Sequence, residues 1–155
     1  MSRRDQIRMD DAELAAFLHE QRTVVVATNG HDGWPHLMPL WYTVRAGELW
    51  SWTYARSQKV KNLERDPRAT LQVETGEQYH ELRGVMAKAS VTIHRDFETV
   101  IAFGVELFER YTGMSPLPDE VRAMLEGQAP KRVALQFVPA SDPVTWDHGK
   151  LGGVY

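Results

Sequence analysis

Cysteine is missing altogether from the 155 residues. That excludes disulfides, thiolate metal sites and thiol nucleophiles, and it fits a reducing cytoplasm. No apolar run approaches the ~18 residues that a membrane-spanning helix requires. Arg3, Arg4 and Arg8 make a basic start, but Asp10, Asp11 and Glu13 stand where a secretory signal would need its apolar core. The reading is a cytoplasmic protein without a membrane span.

Catalytic and metal signatures are equally scarce. The six histidines (His19, His31, His36, His80, His94, His148) show no metal-ligand spacing, and His19-Glu20 lacks a second His four residues on. There is no Gly-rich phosphate loop, no nucleophile elbow and no carboxylate pair that can be placed together. No metal is expected, and the missing side-chain machinery points to a bound cofactor as the carrier of any reaction. A surplus of positive charge is absent too: the net charge of −3 argues against a general nucleic-acid coat.

What is present reads as one domain over 1–155. Residues 10–20 form a short amphipathic helix, with Asp10 and Glu13 at capping-box spacing. TVVVATN (23–29) and HLMPLWYTV (36–44) are strands joined by a turn at His31-Asp32-Gly33. Ala46-Gly47 turns the chain into ELWSWTY (48–54), where Trp50, Trp52 and Tyr54 alternate with Ser51 and Thr53. A helix follows from Ser57, then strands over 68–75 and 81–94, the latter bent near Gly84. Helices over 97–111 and 119–127, the second stopping at Gly127, precede a strand over 131–139. About six antiparallel strands with peripheral helices make a mainly β, α+β barrel.

Three stretches stand out. ARSQKVKNLERDPR gathers five cations (Arg56, Lys59, Lys61, Arg65, Arg68) against Glu64 and Asp66. With Ser57 as N-cap, its hydroxyl can accept a backbone N–H. Val60 and Leu63 mark the buried face, Lys59 and Asn62 flank it, and Lys61 and Arg65 point away. On physics alone this is either a capped surface helix with solvated lysines or a seat for a phosphate or carboxylate. In WPHLMPLWY, Pro39 removes a ladder donor, so its strand lies at an edge or is broken beside a ligand. Trp41 there either lines a planar pocket or, as the residue type favours, fills the core. In WDHGK, an extended tail would set Trp146, His148 and Lys150 to one side, against the alternative of a frayed terminus.

Strand Leu49–Thr53, then Ser57-x-Lys59-x-x-Asn62-Leu63, then Asp66-Pro67-Arg68 and strand Ala69–Val73, together resemble a phosphate-binding segment. The family is that of pyridoxamine 5′-phosphate oxidase-like, flavin- and deazaflavin-binding split barrels. The resemblance covers nearly the whole chain and implies an FMN-binding-type split β-barrel and a homodimer with cofactor sites at the interface. It assigns the cofactor phosphate to Ser57 and Lys59, supported by Asn62 and the neighbouring Arg56. Pro39, Leu40 and Trp41 would line the ring, with Ser51, Trp52 and Thr53 beneath it. Gln78, Tyr79, Trp146, His148 and Lys150 would come from the partner chain, His148 as a candidate proton donor.

Two features depart from the vitamin B6 oxidase branch: the tail WDHGKLGGVY, and Ala87-Lys88-Ala89 where Gly-x-Ala is frequent. The chain looks more like the actinobacterial type that uses coenzyme F420, which carries a phosphodiester and an acidic oligoglutamate tail. The resemblance therefore implies an F420-dependent oxidoreductase that passes hydride to an electron-poor small molecule such as an enone, quinone or tetrapyrrole. An FMN-dependent reductase or oxidase, and a non-catalytic flavin- or deazaflavin-binding module, are its rivals.

Overall fold

The computed structural model describes residues 2–153. Eight strands form one antiparallel sheet: β1 (Thr23–Asn29), β2 (Pro35–Trp41), β3 (Thr43–Arg45), β4 (Glu48–Tyr54), β5 (Arg68–Thr75), β6 (Arg83–His94), β7 (Arg132–Pro139) and β8 (Val144–Asp147). Their order is β2-β1-β5-β6-β7-β4-β3, with β8 added beside β6, and the sheet curls into a half-barrel. Five helices lie around it: α1 (Arg3–Gln6), α2 (Asp11–Glu20), α3 (Gln58–Arg65), α4 (Phe97–Thr112) and α5 (Asp119–Gln128). Among the described residues no helix is long and apolar enough to cross a membrane.

Two cores follow from strand alternation. Val24, Val26, Leu71, Val73, Val133, Leu135 and Phe137 face the barrel interior, where α2 delivers Phe17 and α3 delivers Val60 and Leu63. On the opposite face, Trp52 and Ala134 pack against Val100, Phe103 and Leu107 of α4. Gly104 lets α4 sit that close, since a Cβ there would come within 2.5 Å of the Trp52 ring. The capping box of α2 is made as its spacing predicts, with Glu13 N–H donating to Asp10 Oδ1 and Asp10 N–H to Glu13 Oε2, both at 2.8 Å.

The strand expected over 36–44 is two strands, and the reason is Tyr42. Its ring is fully buried, and its hydroxyl donates to the Leu18 carbonyl at 2.7 Å. Its backbone N–H donates to the Tyr111 hydroxyl (3.0 Å) rather than to a neighbouring strand. The chain thus leaves β1 as partner at Trp41 and resumes pairing with β4 at Thr43. The β3–β4 turn puts Ala46 and Gly47 both at positive φ (49° and 80°), the requirement of a two-residue hairpin whose twist matches its strands. Gly127 does not end α5: the helix runs through Gln128 and tightens into a 3₁₀ turn over Ala129–Lys131.

The tail over 144–153 is not frayed. β8 pairs with the first half of β6, and Trp146 covers Gly84, where a Cβ would meet its ring at 2.2 Å. That packing is what Gly84 provides. Tyr155 lies outside the described residues.

Candidate functional site

The site grows from the turn that carries β4 into α3. Ser57 closes that turn by donating its N–H to the Tyr54 carbonyl (3.0 Å), and its extended backbone makes it the N-cap of α3. Its side chain does not cap: Ser57 Oγ is buried without a hydrogen-bond partner. The expected capping bond is therefore absent.

Two residues on, Lys59 is only 7% exposed, and its ammonium donates to the neutral Thr53 hydroxyl at 3.1 Å. No carboxylate pairs with Lys59 among the described residues. Burial holds its pKa below the usual lysine value. An orphaned hydroxyl, an uncompensated buried cation and the free N–H groups of a helix start thus fall within residues 57–59, the donor types that an anionic oxygen group takes.

Asn62, fully buried, fastens this helix to the sheet. Its Nδ2 donates to Thr28 Oγ1 of β1 (3.0 Å), and its Oδ1 accepts from Gln58 Nε2 (2.9 Å). Asp66 accepts from Asn29 Nδ2 (2.8 Å) and from Arg68 (2.7 and 2.9 Å). The Arg68 bonds first, and Asn29 next, hold its carboxyl well below the usual carboxylate range. Arg65 donates to the Asn29 carbonyl. Of the five cations, Arg65 and Arg68 are thus spent on docking α3, Lys61 and Arg56 are exposed, and Lys59 alone is buried.

β2 is an edge strand, which accounts for Pro39. Its end returns to β4, where Ser51 Oγ donates to the Trp41 carbonyl at 2.6 Å. Pro39, Leu40 and Trp41 are brought beside Ser51 and Thr53, whereas Trp52 faces the other way, beneath α4. Trp41 does not fill the core: it is half-exposed, with one face stacked 4.3 Å from the Tyr111 ring and Phe108 at its edge. Phe108 and Tyr111 are wall residues that sequence reasoning did not single out, although their three-residue spacing places them on one face of α4.

Gln78, Tyr79, Trp146, His148 and Lys150 gather elsewhere. Their cluster sits where β6 pairs with β8 (residues 83–86), while the α3 turn adjoins the start of β7, beyond the far end of β6. Roughly 30–40 Å of strand separates the two, so in one chain they do not meet. His148 Nδ1 donates to the Tyr79 carbonyl (3.0 Å), leaving Nε2 without a proton in the neutral ring. The pairing of Lys150 with Glu13 (2.5 Å) and the Arg8 carbonyl (2.7 Å) ties down the tail and departs from the one-sided array expected of an extended one. A 3₁₀ turn beginning at His148 breaks that alternation. Among the described residues no His, Asp and Glu gather as metal ligands would.

A curled antiparallel half-barrel with β2 and β3 at its edges, holding a helix whose first turn carries an uncompensated buried cation, has the split-barrel architecture. The family model described as pyridoxamine 5′-phosphate oxidase matches residues 10–141, and the chain belongs to that family. The solved structure of conserved hypothetical protein Rv2991 from Mycobacterium tuberculosis is 41% identical, with a TM-score of 0.89 over 100% of this chain and 95% of that one. A structure described as F420 reductase is 22% identical (TM-score 0.62; 81% of this chain, 92% of that one). The heme storage protein HutZ from Vibrio cholerae is 17% identical (TM-score 0.69; 90% and 97%). These last two speak for the fold. No curated protein matches the chain.

Proposed function

We propose that this protein is an oxidoreductase that holds coenzyme F420 by its phosphodiester at Ser57 and Lys59 and reduces an electron-poor small molecule. The observation that carries the reading is the buried Lys59 ammonium, which no carboxylate balances, beside the orphaned Ser57 hydroxyl. A buried cation without a counter-charge is costly unless a ligand supplies one. The charge count favours a diester. Lys59 is the one buried charged side chain among the described residues, and it matches a monoanion, whereas a terminal phosphate monoester such as that of FMN carries about −1.5 to −2.

The coenzyme, when bound, supplies the hydride chemistry; the chain's residues bind and orient it. Asn62 keeps the start of α3 against β1, Arg56 adds exposed positive charge at the turn, and Thr53 positions Lys59. Pro39, Leu40 and Trp41, with Ser51 and Thr53, give a planar ring its wall and floor; Trp52 buttresses that floor from behind. β2 supports a homodimer: Leu37, Met38 and Trp41 are 56%, 41% and 50% exposed on an edge strand, an apolar surface a second copy would cover. A second copy is also the route by which Gln78, Tyr79, Trp146, His148 and Lys150 would reach the site, with His148 a proton donor only as imidazolium.

Tryptophan-fluorescence titration with F420 and with FMN tests the reading. Tight F420 binding, together with substrate-dependent oxidation of the reduced coenzyme by an enone or quinone, is expected. Preferential FMN binding would overturn the cofactor assignment, and binding without turnover of any such acceptor would make the protein a carrier.

A further inference from the structure

Trp41 is the last residue of β2, and its backbone is fixed by its own neighbourhood. Its carbonyl accepts from Ser51 Oγ, and the next residue, Tyr42, is held by a fully buried ring. The indole is anchored differently. It is 50% exposed, and the rings that contact it, Tyr111 and Phe108, both come from α4. Tyr111 lies nearly parallel to it (15°, ring centres 4.3 Å apart), whereas Phe108 stands edge-on at 6.4 Å and 70°. Tyr111 therefore covers one indole face, and the exposure of Trp41 lies chiefly on the opposite face.

Tyr111 is itself held from several elements. Its hydroxyl accepts from the Tyr42 N–H (3.0 Å), and its single proton faces the carbonyls of Arg22 and Tyr42, the latter at 3.1 Å. The Arg22 guanidinium lies 5.3 Å from the Tyr111 ring centre and that of Arg110 lies 5.8 Å from it. Both arginines are tied down in turn. Arg22 Nη1 donates to the Arg110 carbonyl (2.9 Å), and Arg110 Nη2 reaches the Leu18, His19 and Gln21 carbonyls (3.3, 3.2 and 2.8 Å) where α2 ends. A ring supported in this way has one orientation, and it denies the half-exposed indole stacked on it the other rotamers open to a surface side chain.

We propose that Tyr111 is a positioning residue for ring recognition, acting through Trp41. The stack sets the indole plane before a ligand arrives, so the uncovered face meets the cofactor ring without the entropy cost of ordering that side chain on binding. The proposal rests on the reading that Pro39, Leu40 and Trp41 wall the ring. It puts part of the control over ring affinity in α4, outside the stretches to which the resemblance assigns the cofactor.

The test titrates wild type, Tyr111→Leu, Tyr111→Phe, Trp41→Leu and the Trp41→Leu/Tyr111→Leu double variant with F420, followed by the coenzyme's own fluorescence. Tyr111→Leu and Trp41→Leu should each weaken binding about three- to tenfold. The double variant should be no weaker than Trp41→Leu alone, because Tyr111 then has nothing to position. Tyr111→Phe keeps the stack but leaves the Tyr42 N–H without its acceptor. It should melt earlier than wild type yet bind within about twofold of it, a split that a merely structural role does not produce. Additive losses in the double variant, or a Tyr111→Phe protein that binds as weakly as Tyr111→Leu, overturn the proposal. So does a Trp41→Leu protein that binds like wild type, whether or not Tyr111→Leu folds. The same ratios are expected with a phosphate-free deazaflavin, which reports the ring alone; losses confined to F420 would move the effect to the phosphate seat. If wild type binds F420 but not the phosphate-free ring, the wall adds no affinity, and the proposal falls while the seat stands. If wild type binds neither, the cofactor reading falls and the proposal with it.

Discussion

Replacing Lys59 with Met should move stability and binding in opposite directions. In the ligand-free chain the ammonium is 7% exposed and faces one neutral hydroxyl. Methionine keeps the stem and removes the desolvated charge, a relief that outweighs the roughly 1 kcal/mol bond given up by Thr53. The expected net effect on the ligand-free protein is stabilisation by about 0.5–2 kcal/mol. Affinity for the phosphate-bearing cofactor should instead fall by about 1.5–3 kcal/mol, or roughly 10- to 150-fold in Kd. Urea unfolding without ligand and fluorescence titration with it measure the two effects, and Lys61→Met on the outer face of α3 should show neither. The sign of the pH dependence follows from the same burial. With the folded pKa below the unfolded value of 10.5, the unfolded chain binds more protons between the two values, so ligand-free stability rises with pH in that window. Anion binding needs the charged form, so affinity falls as pH rises through the folded pKa. Lys59→Arg, which stays charged, should abolish that fall. A Lys59→Met protein that is less stable than wild type, or that binds the cofactor as well, would refute the reasoning.

Ser57→Ala should leave ligand-free stability nearly unchanged, unlike the ~0.5–2 kcal/mol cost of losing a working N-cap, and should weaken cofactor binding; thermal melts and titrations separate the two. Gly104→Ala should destabilise by about 1–3 kcal/mol in urea, since its Cβ would press on the Trp52 ring. Asp66, whose carboxyl is held low by Arg68 and Asn29, adds stability that is present above the ordinary Asp pKa and lost as pH falls through the folded one. Asp66→Asn should therefore flatten the acid limb of a stability–pH curve. Leu37→Glu on β2 should shift the protein toward monomer in light scattering, and an unchanged mass would tell against β2 as the dimer surface.

Local periodicity was enough to read the hairpins, the capping box of α2 and the wheel of α3, because each depends on spacing within one element. Asp10 needs only Glu13, and the α3 face needs only Val60 and Leu63 to set its direction. What escaped depends on residues far apart in the chain. Tyr42 breaks a strand because Tyr111 takes its backbone N–H, and Trp41 leaves the core because the same Tyr111 offers it a stacking face. β8 was hidden because four residues pair only where β6 outruns β7.

The cation-rich stretch shows why composition alone could not locate the site. Five positive charges in a row of fourteen residues look like one basic patch, but they have separate fates. Arg68 and Arg65 lock Asp66 and the Asn29 carbonyl, so they stabilise the helix's attachment and are unavailable to a ligand. Lys61 and Arg56 are exposed. Lys59 alone is buried, and among the described residues it meets no carboxylate. A local charge excess thus marks where α3 is docked, while its one buried member, Lys59, is the charge on which the proposed anion site rests.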